Sequence, residues 1–416
     1  MTTSDPSAEL SARPPERVFV WIWLPDATEP VVCGRLDQGS PITFTYARSY
    51  KARPDAVPVF EPELPLTGTP PLEPLDGDGL PLCIDDAMPD SWGRRLVNHR
   101  LGVGFAELPE LTYLVASGSD RIGALDFQLS STEYVRREAD APSLDELATA
   151  ARRFEDGEPL DERLTAALLH GTSIGGARPK ALVADGGRGL VAKFSSSTDT
   201  YPVVQGEFVA MTLARRCGLD VAPVSLVEAH RRHALLVERF DRPGGGRRRR
   251  VVSALTVLGL SSFPGGRYAT YHDLADGIRR SFARPDATLR ELFGRISFNI
   301  LCGNTDDHGR NHAAFVNDDG LELTPAYDIC PQARTGGDAN QAMAYGRQGQ
   351  RAARIASLVE AADVYHLDPA DARAIVDTQI HVVRDAWDEV CDHARLTAQQ
   401  RSTFLGRQFL DPSIFH

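Results

Sequence analysis

The stretch Asn304-Thr305-Asp306-Asp307-His308-Gly309-Arg310-Asn311, with Thr324-Pro325-Ala326-Tyr327-Asp328-Ile329 shortly after it, decides how this chain is read. Between the two, His312 to Val316 has the pattern of a strand, Asn317-Asp318-Asp319-Gly320 that of a turn, and Leu321 to Thr324 that of a return strand. Such a hairpin folds back on itself, so Asp328, 22 positions after Asp306, is expected to return close to Asn311. Upstream, Leu289, Leu292, Phe293, Ile296 and Ile300 recur at helical spacing, and Gly303 and Asn304 suit the end of that helix. A buried helix would deliver the loop rigidly, and the hairpin would close it.

The chemistry follows from the residue types. Asn311 and Asp328 offer two hard oxygen ligands, which suit Mg²⁺, a cation that also keeps waters and phosphate oxygens. Asp306 is then free to accept the proton of an attacking hydroxyl. Asp306 and Asn311 lie five apart, the spacing at which protein kinases set a catalytic-loop Asp and a magnesium-binding Asn. Clusters of Asn, Asp and Gly also form ordinary solvated turns, and the loop alone does not separate the two readings. His308 and His312 sit four apart, but no adjacent Glu accompanies them and Gly309 weakens a helix there. A bracing hydrogen bond from His308 is the simpler expectation than metal ligation.

With 416 residues, the chain exceeds what one core normally supports, and two or three domains are expected. A net charge of −12 argues against non-specific nucleic-acid binding by the whole chain. The six cysteines are scattered without a CxxC pair or zinc spacing, which fits a reduced, cytoplasmic compartment. No export signal and no membrane span are read from the sequence. Arginine dominates the basic residues, and the lysines are Lys51, Lys180 and Lys193 alone. A lysine kept in such a background marks a place where a compact ammonium on a flexible stem is needed. For Lys51, in a polar segment, chance survival is the better reading.

Residues 1–16 read as a flexible tail. Val18 to Leu24, Val31 to Leu36 and Ile42 to Tyr46 read as strands of a small domain, and the proline-rich stretch Pro54 to Pro81 as irregular. A helix is expected from Pro89 or Asp90 onward, with Trp92 in the core and Arg94 and Arg95 at the surface. Another is expected over residues 142–156. Gly171 to Val183 is a glycine loop entering a strand, and the backbone N–H groups of such a loop, Gly175 and Gly176 among them, can approach phosphates. Lys180 closes that loop. Lys193, on the strand Leu190 to Phe194, is placed to neutralise nucleotide phosphates, and Glu207 opens a helix from which it could pair with Lys193. Leu235 to Arg242 reads as a strand resembling a hinge between lobes, where backbone groups would read adenine and Phe240 would line the pocket. The arginines 247 to 250 read as a solvated hairpin tip, and helical patterns dominate beyond residue 252.

In this order, Ser173-Ile174-Gly175-Gly176-Ala177-Arg178-Pro179-Lys180, the Lys193 strand, Glu238-Arg239-Phe240-Asp241-Arg242, Gly303 to Asn311 and Leu323 to Ile329 resemble the HipA family of bacterial serine/threonine kinases, the toxin halves of toxin–antitoxin pairs. Phe44 to Tyr50 and Met88 to Arg95 look like that family's small N-terminal domain. The resemblance implies an α+β, protein-kinase-like fold with a β-rich N-terminal lobe and an α-helical C-terminal lobe. The corresponding domains are 17–110 (small, β-containing), 111–250 (N-lobe with the glycine loop) and 251–416 (C-lobe with the catalytic loop). It implies ATP and Mg²⁺ as cofactors, Asp306 as catalytic base with His308 beside it, Asn311 and Asp328 on the metal, and Lys193, Gly175, Gly176, Lys180, Glu238 and Phe240 on the nucleotide. Ser173 matches a position that can be autophosphorylated, and a phosphate there would repel the nucleotide and switch activity off.

Two departures limit the carry-over. Arg310 stands where a lysine is usual, and Arg250 to Thr256 replaces an acidic, glutamine-containing segment of the best-known members. The known substrate of those members, a glutamyl-tRNA synthetase, is therefore not carried over. The expected partners are a cytoplasmic protein substrate of the translation-factor or synthetase class and a small helix-turn-helix antitoxin, with DNA reached only through it. The segment around Gln341-Ala342-Met343 looks closer to a solitary subgroup, which leaves a dedicated antitoxin open. The alternative is a catalytically weak kinase-fold module that binds such a partner.

Overall fold

The computed structural model describes residues 13–137, 142–169, 178–196, 198–262, 265–333 and 337–416. The chain forms two compact units, one of Met1–Ser197, Ala229–Arg231 and Asp241–Val252, the other of Thr198–Glu228, Arg232–Phe240 and Ser253–His416.

The first unit contains an antiparallel sheet of β1 (Arg17–Ile22), β2 (Val31–Asp37), β3 (Thr43–Tyr46) and β4 (Leu125–Gln128), in the order β3-β2-β1-β4. The apolar run of β1 buries Val18, Val20 and Ile22 completely, as expected of a central strand flanked on both edges. β4 pairs with β1 through Val20↔Phe127 and Ile22↔Leu125, so the small domain continues past the boundary expected at residue 110. The sequence gives little warning, because β4 is four residues long and separated from β3 by four helices, Arg48–Lys51, Leu82–Asp85, Ser91–Leu101 and Glu110–Ala116. The proline-rich segment is irregular but anchored. Glu63, buried within it, accepts backbone N–H bonds from Leu82 (2.7 Å) and Cys83 (2.9 Å).

Helix Ser91–Leu101 starts where its cap demands: Asp90 is the N-cap, its carboxylate accepting from Gly93 N at 2.8 Å, and Gly102 ends it in the left-handed conformation. Trp92 is buried and Arg95 exposed. Arg94, half-buried, lies over the Tyr113 ring at 4.7 Å. Helix Leu144–Glu155 carries a full capping box from Ser143 and Glu146. β5 (Lys180–Asp185) and β6 (Arg188–Phe194) form a hairpin in which Lys180 stands directly opposite Lys193. The arginine run is not a solvated tip. Arg248 is buried over the Trp23 ring, 3.5 Å from its centroid, and Arg250 donates to Pro58 O at 2.9 Å, so flat aromatic and carbonyl partners absorb two of the four guanidinium groups.

The second unit is built on helix Pro285–Cys302, in which Leu289, Leu292, Phe293, Ile296 and Ile300 are all fully buried, as their spacing requires. Helix Pro369–His393 packs against it, and Gln379 donates to Gly294 O at 2.9 Å. Helix Val203–Arg216 begins four residues before Glu207, which is therefore a buried second-turn residue rather than a first-turn charge. Among the described residues, no helix is long and apolar enough to cross a membrane.

Candidate active site

Helix Pro285–Cys302 ends at Gly303, whose φ of +69° turns the chain out of the helix. A side chain there would meet Gln408 O at 2.7 Å, so glycine is required twice over. Asn304 Nδ2 donates to Asn299 Oδ1 at 3.0 Å and starts the loop against the helix it has just left. Exposure then alternates: Asp306 out, Asp307 in, His308 out, Gly309 in. Gly309 lies against Leu255, where a Cβ would come within 2.5 Å of the leucine Cδ2. Gly309–Asn311 is a single 3₁₀ turn, with Asn311 N donating to His308 O at 2.8 Å.

The hairpin after the loop is the expected one. Ala313–Asn317 pairs antiparallel with Gly320–Leu323, from Ala314↔Leu323 to the Asn317↔Gly320 turn. The return segment is held at several points. Arg295 Nη2 donates to Thr324 O at 2.9 Å, and Ala326 exchanges backbone bonds with Asp220 and Ala222 (2.8 and 3.0 Å). Tyr327 Oη donates to Arg310 O at 2.7 Å, which ties the second acidic segment directly to the first. Asp328 follows with a φ of +59°, a left-handed conformation that a non-glycine residue holds only when its surroundings impose it. Phe240 packs on Tyr327 (centroids 5.6 Å apart) and edge-on to Phe315 (5.7 Å), so the hinge aromatic rests on this hairpin.

The electrostatics agree with that convergence. Burial of its surroundings pushes the Asp306 carboxyl above the usual carboxylate range; Asp328 and Asp307 push it the same way, against a downward pull from His308. Asp307 behaves oppositely. Burial would raise it, but His312 and the Tyr271 hydroxyl hold it below the usual range. Its Oδ2 accepts from Asn299 Nδ2 at 2.7 Å, from His312 Nε2 at 2.8 Å and from Tyr271 Oη. The brace expected from His308 thus comes from His312. His308 is exposed while His312 is buried, so the two do not face one ion. Among the described residues, no cluster of three or more His, Cys, Asp or Glu is placed to hold a metal. The oxygens of Asn311 and Asp328 fit a hard cation that takes its remaining ligands from elsewhere.

The other expected residues fall as follows. Gly175, Gly176 and Ser173 lie outside the described residues. Lys193 is half-buried on β6. Lys180 is buried, with its Nζ on the Asp90 carboxylate, an ion pair that was not anticipated from a loop-closing lysine. Glu238 is the last residue of strand Arg232–Glu238, half-buried, its N–H on Pro223 O at 2.9 Å. The network around Asp307 also escaped the sequence reading. Its one signal was position: His312 opens an apolar strand, where a polar side chain pointing inward needs a partner.

Comparison with known proteins places these elements in a family. Residues 28–128 match the HipA N-terminal domain and residues 172–387 the HipA-like C-terminal domain. The serine/threonine-protein kinase toxin HipA of Shewanella oneidensis is 29% identical over 298 residues, 62% of this chain and 65% of that protein. Y4mE of Sinorhizobium fredii is 29% identical over 264 residues, 58% of this chain and 62% of that protein. The matches therefore span less than two thirds of the length of these relatives. The structure of Shewanella oneidensis HipA in complex with HipB and operator DNA superposes with a TM-score of 0.69 at 22% identity, covering 95% of this chain and 99% of that one. The fold is the α+β, kinase-like fold expected from the sequence, and with more than half its length matched by the C-terminal domain alone, the chain belongs to the HipA family.

Proposed function

We propose that this chain is an ATP- and magnesium-dependent serine/threonine protein kinase with a toxin-like role, transferring the γ-phosphate of ATP to a hydroxyl of a cytoplasmic protein. The observation that carries the reading is the Tyr327–Arg310 tether, which ties the segment leading into Asp328 to the Asp306–Asn311 loop. In this reading Asn311 and Asp328 would hold Mg²⁺ and Lys193 and the Gly175-Gly176 loop the phosphates; Lys180, expected on the nucleotide, is instead buried against Asp90 and leaves that role. Bound there, the metal neutralises charge on the phosphoryl oxygens. Asp306 is exposed, so a substrate hydroxyl can reach it, and its raised pKa makes it a stronger proton acceptor. His308, beside it, tempers that basicity. Phe240, tilted against Tyr327, would offer an aromatic surface to a nucleotide base.

Autophosphorylation of Ser173 is the regulatory step of this proposal, since a dianion in a phosphate-binding loop excludes the nucleotide. The Shewanella neighbour is bound to HipB and operator DNA, which supports a small DNA-binding antitoxin as partner here, with DNA contacted through it. The test is labelled-phosphate incorporation from ATP with purified protein. Asp306→Asn should lower it about 10²–10⁴-fold with circular dichroism unchanged. Asp328→Asn should weaken magnesium-dependent nucleotide binding. Wild-type labelling by the Asp306 variant would exclude the assignment.

A further inference from the structure

We infer that Asp307 is a positioning residue: its buried side chain fixes the catalytic loop from within, so that the neighbouring Asp306 carboxylate stands where a substrate hydroxyl meets it. The inference rests on the kinase reading for its purpose and on geometry for its content. One oxygen of Asp307 receives three donors from three elements. Tyr271 is the first residue of helix Tyr271–Ser281, Asn299 lies near the end of helix Pro285–Cys302, and His312 directly precedes strand Ala313–Asn317. All four side chains are buried.

Asn299 serves both ends of the segment. Its Oδ1 accepts from Asn304 at 3.0 Å and its Nδ2 donates to Asp307 at 2.7 Å, so Thr305 and Asp306 are suspended between two anchors on one side chain. His312 has no second polar anchor among the described residues, because its Nδ1 is buried without a partner. A bare lone pair there costs less than a bare N–H, which puts the ring proton on Nε2, donating to Asp307. Three donors converging on a carboxylate oxygen leave the Asp307 side chain little freedom, and the planar peptide it shares with Asp306 passes that restraint on. A catalytic group displaced by about 1 Å loses up to about 100-fold in rate.

The experiment uses the full chain and two readouts. Tyr271→Phe removes one donor and keeps the ring, His312→Leu removes another, and His312→Gln keeps a donor near the original Nε2. We expect Tyr271→Phe and His312→Leu each to lower kcat about 10-fold with KM for ATP changed less than about 2-fold, and His312→Gln to recover most of the loss. Hydrogen exchange followed by mass spectrometry should show lost protection in peptides covering 304–311 and none in 285–302. Unchanged exchange in the loop for both disruptive variants, or a loosened loop with wild-type kcat, would overturn the inference. Wild-type protein that transfers no phosphate would instead refute the kinase reading, and the exchange data would still decide whether Asp307 holds the loop.

Discussion

Replacing Lys180 with Met keeps the length of the side chain and removes its charge, leaving the Asp90 carboxylate in a pocket built for an ion pair. Both side chains are buried, Lys180 at 2% and Asp90 at 10% exposure. Breaking a buried pair by removing one partner typically costs about 3–5 kcal/mol. Two effects reduce that figure. Lys180 faces Lys193 across the β5–β6 hairpin, and relieving a like-charge pair returns about 0.2–1 kcal/mol. Asp90 can also take up a proton instead of staying charged, which at pH 7 limits the penalty to about 4 kcal/mol, from about 1.4 kcal/mol for each pH unit above an ordinary carboxylate pKa. The expected loss is about 2–4 kcal/mol at pH 7, or about 4–16 °C in Tm for a unit of this size. By the same limit it shrinks to about 1.5 kcal/mol at pH 5. Adding Asp90→Asn to Lys180→Met should restore most of the loss, because the amide still caps helix Ser91–Leu101 without a charge. Calorimetric melts of the single and double variants at the two pH values test this. A Lys180→Met protein melting within 1 °C of wild type at pH 7, or a double variant no more stable than the single, would refute the ion-pair argument.

The second unit was the more legible in the sequence, because its site is written in local patterns. A 3.6-residue apolar period, a glycine after it and a two-strand alternation around Asn317-Asp318-Asp319-Gly320 fix the helix, loop and hairpin without reference to anything distant. Those elements appear within a residue or two of expectation. What escaped depends on partners far along the chain. β4 joins a strand more than a hundred residues earlier, and nothing in four residues specifies a pairing at that distance. Lys180 was read from the glycine loop before it, yet its partner, Asp90, lies 90 residues away. The arginine run illustrates the same limit: charge runs are usually solvated, and only tertiary contact with Trp23 and Pro58 shows that this one is not. Asp307 and His312 were in view, but which of two histidines turns inward is set by the backbone of the loop, where no periodicity operates.

Gly303→Ala should destabilise the second unit by about 1–3 kcal/mol, since a left-handed φ costs an L-residue about 1–2 kcal/mol and Gln408 O blocks the new methyl. Urea unfolding within about 0.5 kcal/mol of wild type would contradict it. Asp126 gives the first unit a pH dependence. Burial alone would raise its carboxyl, but Arg137 at 2.8 Å and Arg121 at 3.2 Å hold it below the ordinary range. A carboxyl depressed in the folded state stabilises that state fully above its unfolded pKa of about 3.9 and progressively less as the pH falls through the folded value. Acid therefore removes this contribution only below about pH 4. Asp126→Asn should lose about 3–5 kcal/mol at pH 7, where the buried Arg121 loses the Asp126 carboxylate, and should show a flatter stability profile between about pH 4 and 2. Parallel acid-unfolding curves for the two proteins in that window would mean that the depressed pKa of Asp126 does not contribute to folding.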